Sequence, residues 1–274
     1  MTKRAIVPLG LSIVAFLVIL VAESIRIRTG ERPLPIAWSA SVLVLVATLL
    51  LRYWVVDERR FETAIHATNP LPDVPLNPRR YLNMLVVAMM VGLIATVSIY
   101  QNFFLGAGIY LVMQICLIIA YNGILHLRPG RILASPVLKR PSLMTTLFWL
   151  IVTPLVYVVF VYNGPITLIV APYVAALGLM AAVVYLGLAY RERPLAFRLL
   201  AAVGATSFVF SDALIGHMVF VNPDTTWVML ISPTYVLAIV LLSQAALFWP
   251  QVFRREAVVA ASLTLRERTN HHEN

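Results

Sequence analysis

Residues 197–220 read FRLLAAVGATSFVFSDALIGHMVF. The run is long enough, at 1.5 Å per helical residue, to cross a bilayer core of about 30 Å. Past its opening Arg198 it carries one charge, Asp212, deep among apolar and small residues. A helix at a water surface turns a charged face outward, and this run has none to turn. Lipid is therefore its solvent, and the same reading extends to the chain on either side.

Seven further apolar runs can be drawn, at about 5–22, 36–56, 83–99, 103–125, 143–162, 166–190 and 227–250. Of 274 residues 61% are hydrophobic and only 12% charged, against about a quarter charged in soluble domains. The alternation expected of a β-barrel strand is absent. The expected fold is an all-α polytopic transmembrane bundle of eight spans. It forms a single transmembrane domain over residues 1–253, with a connector at 57–82 and a polar tail at 254–274. Gln101 and Asn102 turn run three into run four, Gly164 and Pro165 turn five into six, and Asn222-Pro223-Asp224 turns seven into eight. The first run follows Lys3 and Arg4 like a signal peptide. It ends at Ala22-Glu23-Ser24-Ile25-Arg26 without a small-x-small cleavage site, and reads as a retained span.

The net charge of +9 falls between the runs, where it orients the chain and does not mark a nucleic-acid surface. Lys3, Arg4, Arg59, Arg60, Arg79, Arg80, Arg128, Arg131, Lys139, Arg140, Arg191, Arg193, Arg254, Arg255, Arg266 and Arg268 share one face if there are eight spans. The other face has Arg26, Arg28 and Arg32 in its first loop and no basic residue in its other two hairpins. Both termini are thus expected in the cytoplasm, and the location is expected to be the plasma (inner) membrane. Trp38, Trp227, Trp54 and Trp249 fall at span ends, as interfacial anchors do. In the connector Pro70, Pro72, Pro75 and Pro78 rule out regular helix through the second half. The segment reads as lying on the headgroups.

Chemistry is sparse. There is no GxSxG, HExxH or Walker loop, and no GxGxxG in a βαβ setting, so no cofactor is implied. The lone cysteine, Cys116, can neither pair internally nor anchor a metal site, and His271-His272 reads as solvated. Asp212 is the informative residue. A charged side chain mid-bilayer costs roughly 2.5–3.5 kcal/mol on insertion scales, so such residues face a bundle interior or wet cavity. It is a candidate proton donor; a structural Asp bridging helices through Ser211 or Thr206 is the alternative. His217, five residues on, stands about 140° around the helix. Gly204 and Ser207 offer small surfaces for close packing. Tyr110, Gln114 and Tyr121, at i, i+4 and i+11, share one face that Gly106 continues. They line a cavity or bridge helices. Tyr235, after Pro233, is a further candidate, while Tyr157, Tyr173 and Tyr185 read as packing residues.

The stretch Gly204-Ala205-Thr206-Ser207-Phe208-Val209-Phe210-Ser211-Asp212-Ala213-Leu214 resembles the late motif of the YhhN family, Gly-Ala-x-x-Phe-x-x-Ser-Asp-x-x-Leu. Arg32-Pro33-Leu34, Asn102-Phe103-Phe104-Leu105-Gly106 with Tyr110, and Thr234-Tyr235 continue the resemblance in order, over about residues 5–250. It implies eight spans. It also implies a lysoplasmalogenase activity, in which the vinyl ether of a lysolipid is hydrolysed to a fatty aldehyde and a glycerophospho head group. Asp212 would be the catalytic acid, with Ser211, Tyr110, Gln114, Tyr121, His217 and Tyr235 around the substrate. The chain departs from the family in carrying no acid at Val91-Gly92-Leu93-Ile94-Ala95-Thr96, where a Gly-Asp is usual. A customary His falls on Gln114, and a customary Gln falls near Ile239. The other functions open to this scaffold are a non-catalytic lipid-binding or accessory protein and a small proton-coupled transporter. No convincing repeat or broken helix pair favours the transporter. Membrane lipids are the expected partners, with no nucleic acid.

Overall fold

The computed structural model describes residues 3–31, 33–71, 76–125, 127–223 and 227–249. Arg32, Pro72, Pro75, Asp224 and the tail at 254–274 with His271 and His272 lie outside the described residues. Ten α-helices follow one another: α1 (Lys3–Thr29), α2 (Leu34–Leu50), α3 (Glu58–Ala67), α4 (Pro78–Ile99), α5 (Phe103–Asn122), α6 (Pro129–Ala134), α7 (Lys139–Val156), α8 (Ala171–Leu186), α9 (Leu195–Phe220) and α10 (Val228–Gln244). Short π or 3₁₀ turns extend α2, α7, α8 and α10. Eight of these helices are long and apolar enough to cross a membrane: all but α3 and α6.

The spanning helices run up and down. Seven of them are neighbours in the order α1, α2, α4, α5, α8, α9, α10, and the order closes where α10 meets α1. α7 stands outside this ring, against α8 and, through its terminal turn, α9. It shows most of its surface: Leu147, Leu150, Ile151 and Leu155 are all exposed. In a bilayer that surface meets acyl chains. The turns at 100–102 and 162–164 and the α9–α10 loop share one end of the bundle, the hairpin end. The longer connections share the other, the connector end.

Small residues set the spacing. A Cβ on Gly106 would lie 2.5 Å from Ile99 Cα, so α4 and α5 touch backbone to side-chain root at their hairpin. Gly204 admits Leu241 and Leu242 of α10, and Gly216 admits Val161 from the turn after α7. With no hydrophobic drive between helices in lipid, close approach of this kind supplies the packing energy.

The spans run past the apolar runs at several ends. α1 continues to Thr29 because Glu23 pairs with Arg26 at 3.2 Å, which also lies 3.4 Å from the Val228 carbonyl of α10. α4 starts at Pro78, not 83, because Asn77 caps the Arg80 N–H and Pro78 suits the first helical turn. The first half of the connector is a helix, α3, capped by the Asp57 side chain on Arg59 and Arg60. It does more than rest on headgroups: Phe61 is fully buried against Tyr81 and Trp249. Trp249 itself is buried, so it is a packing residue rather than an interfacial anchor. Beside it, Arg193 stacks on the Tyr190 ring at 4.2 Å and donates to the Ile124 carbonyl. Burial draws its guanidinium down to about 10, which leaves it cationic at neutral pH.

Candidate functional site

Asp212 sits eight residues from the hairpin end of α9, about 12 Å along the axis. Its neighbours come from α4, α5, α8 and α10. α8 contributes Tyr173, whose hydroxyl donates to Asp212 Oδ2 at 2.5 Å. α5 contributes Tyr110 and α4 Thr96, whose hydroxyl oxygens lie 2.9 Å apart. Tyr235 of α10 places its hydroxyl 3.3 Å from Thr96 and 3.4 Å from the Gly92 carbonyl. The Tyr110 and Tyr235 rings meet edge to face with centroids 5.6 Å apart.

Two adjoining cavities open around these groups. One, of about 40 Å³, is lined by Asp212, Tyr173 and Tyr110, with Val156 and Val161 of α7 and its turn as the outer wall. It has room for about three waters. The other, of about 240 Å³, is lined by Tyr110, Thr96, Tyr235, Ser41 and Ser232, and lies toward α1, α2 and α10. Tyr110, Ile99, Phe103 and Ile215 line both. The walls are otherwise apolar. The hydroxyls and the one carboxyl are the polar features of the two cavities.

The structure brings together Asp212, Tyr110 and Tyr235. Gln114 is fully buried one turn deeper on α5, with its side-chain amide against the Tyr173 hydroxyl. The other candidates point elsewhere. Ser211 donates to the Ile231 carbonyl and ties α9 to α10. Tyr121 lies far toward the connector end, donating to the Leu242 carbonyl and packing edge-on against Tyr81. His217, around the helix from Asp212, faces Phe160 with ring centroids 6.1 Å apart. Thr206, the other suggested partner of Asp212, instead meets Tyr185 at 2.6 Å.

Reading the sequence missed Tyr173 and Thr96. Tyrosines are ordinary at span ends, so nothing set Tyr173 apart. Its spacing from Pro165 matches the depth of Asp212 from Phe220, a signal that needs the hairpin pairing of α8 and α9. Thr96 hides its polarity by back-bonding to the Gly92 carbonyl at 2.8 Å. Gly92 is tightly enclosed, since a Cβ there would lie 2.7 Å from Met113 Sδ and 3.1 Å from Tyr235 Oη. Among the described residues no three His, Cys, Asp or Glu side chains gather as a metal site. Asp212 is the one carboxyl among the residues that line the two cavities.

Compared with curated proteins and with solved structures, the chain finds no match. The sequence model of the YhhN family matches residues 61–246, which include α4 through α10 and every group placed around Asp212. With eight apolar spans and two thirds of its length in that match, the chain belongs to the YhhN family.

Proposed function

We infer that this protein hydrolyses the vinyl ether of a lysolipid, a lysoplasmalogen, with Asp212 as proton donor. The observation that carries the reading is the lone carboxyl of Asp212 on a small polar-floored cavity in an apolar bundle. The alkenyl chain enters from lipid and lies along the apolar walls, and the head group stays toward the hairpin end. If the termini are cytoplasmic, that end meets the outer leaflet.

The reaction needs one acid that can also serve as a base. Asp212 in its acid form gives its proton to the alkenyl carbon beyond the one bonded to oxygen. The double bond's electron pair forms the new C–H bond, leaving an oxocarbenium ion whose charge the new carboxylate faces. Water adds to the oxygen-bearing carbon and loses its proton to Asp212, which restores the acid. The hemiacetal then breaks its C–O bond to the head group, yielding aldehyde and alcohol. One carboxyl can thus suffice where relatives carry an additional acid. Tyr173 holds the carboxyl in place and its hydroxyl donates to the charged form when it appears. Tyr110 and Tyr235 offer hydroxyls to the ether oxygen or the attacking water.

The test is aldehyde release from a lysoplasmalogen by purified protein, beside the saturated alkyl-ether analogue. The account expects aldehyde from the vinyl ether alone. In deuterium oxide the aldehyde should carry deuterium on the carbon next to its carbonyl, because that carbon receives the acid's proton. Absence of aldehyde from the vinyl ether refutes the reading and favours a lipid-binding scaffold without catalysis.

A further inference from the structure

Toward the connector end from the Asp212 cavities, a further apolar recess lies between α6, α7 and α8. It measures about 480 Å³. Leu127, Ile132, Leu133, Leu143, Leu179 and Val183 form most of its wall, with only Ser142 and Thr146 adding hydroxyls. α6 makes its floor: Ile132 is buried and Leu133 is half exposed. One wall is α7, the helix outside the ring, so the recess opens on the same side as the broad lipid-facing surface of α7.

The rim is basic. Arg128 and Arg131 flank wall residues on and beside α6, and Lys139 and Arg140 lie in the first turn of α7, next to Ser142 and Leu143. All four are exposed, and among the described residues no carboxylate pairs with them. From Gly123 to Met144 the sequence contains no acid at all. An apolar slot beside a bilayer, mouthed by unneutralised cations at headgroup depth, fits a molecule with a hydrocarbon chain and a fixed anion. Basic residues near a membrane surface each attract anionic lipid by about 1 kcal/mol. That attraction alone would be diffuse, and it is the slot beneath that fixes one molecule.

We propose that this recess binds one anionic glycerophospholipid from the connector-end leaflet, its acyl chain between α7 and α8 and its phosphate against Arg128 and Arg131. The site is separate from the Asp212 cavities and shares no lining residue with them. The bound lipid packs against α6, α7 and α8 together at the connector end.

The experiment is native mass spectrometry of the detergent-purified full chain titrated with phosphatidylglycerol and, separately, phosphatidylcholine. The expected result is one tightly retained phosphatidylglycerol. Arg128→Gln with Arg131→Gln should weaken it by about 30-fold, at about fivefold per arginine. Ala182→Phe, which fills the recess and leaves every charge, should weaken it as well. Leu133→Asn on the half-exposed face of α6 makes the same test should Ala182→Phe fold poorly. Arg80→Gln, basic and at the same end but away from the recess, should change nothing. Equal retention of both lipids overturns the proposal. So does an equal loss with Arg80→Gln, which would mean a diffuse charge effect, or displacement of the lipid by inorganic phosphate, which would mean an anion site with no chain.

Discussion

Among single residues, the pair Tyr173 and Asp212 stands at the centre of the proposed proton transfer. Tyr173→Phe removes the hydroxyl that donates to Asp212 Oδ2 and leaves the ring packing in place. A hydrogen bond to a charged group contributes about 1.5–3 kcal/mol. Turnover should therefore fall by about tenfold to a hundredfold, with KM near the wild-type value, as steady-state kinetics on the lysoplasmalogen would show. A rise confined to KM, with turnover unchanged, would make Tyr173 a substrate contact instead. Asp212 was legible in the sequence because any carboxyl inside an apolar run carries an insertion penalty that function or pairing must offset. Its partner was not. A tyrosine costs little in a span, and only its depth on α8, opposite Asp212 of α9, distinguishes Tyr173 from Tyr185, which meets Thr206 of the same helix, and from Tyr157. The placement of Ser211 and His217 was equally hidden, since both lie near Asp212 in sequence and turn to different neighbours in space.

Among the helices, the spans were plain from hydropathy, and their ends were not. Polar residues extend helices wherever a cap or ion pair accommodates them, as Asn77 does for α4 and the Glu23–Arg26 pair for α1. α3 escaped notice because its apolar residues Phe61, Ala64 and Ile65 are few, although they all face inward. The tight hairpin between α4 and α5 rests on Gly106. Gly106→Ala would set a methyl 2.5 Å from Ile99 Cα, on backbone that cannot swing aside as a flexible side-chain tip can. Overpacking of this kind costs about 1–3 kcal/mol. Thermal unfolding in detergent should show a lowered midpoint, while Gly108→Ala, with open space around its Cβ position, should leave the midpoint unchanged. Equal midpoints for Gly106→Ala and wild type would mean that the hairpin is looser than described.

For the molecule as a whole, an even number of spans puts both ends of the described bundle on one side, and the Lys and Arg asymmetry of the sequence predicts that this side is cytoplasmic. A reporter fused after Asn274 should be active only in its cytoplasmic form, and one inserted at Gly164 only in its external form. The opposite pair of results would invert the orientation, and with it the leaflet from which the substrate comes. The closed order of seven helices with α7 outside it was not legible. Hydropathy gives each helix a length and says nothing about which neighbour it meets.

Whether Asp212 is the acid is decided by aldehyde release from a lysoplasmalogen by wild type and Asp212→Asn, purified side by side. Asn keeps the shape and a hydrogen-bonding amide beside Tyr173 but has no proton to give to carbon. General acid catalysis is worth about 10²–10⁴-fold, and no other carboxyl lines the cavities to replace it. The account predicts an Asp212→Asn protein that elutes and unfolds like wild type and turns over at least a hundredfold more slowly. Aldehyde release at the wild-type rate by that well-folded variant would contradict it.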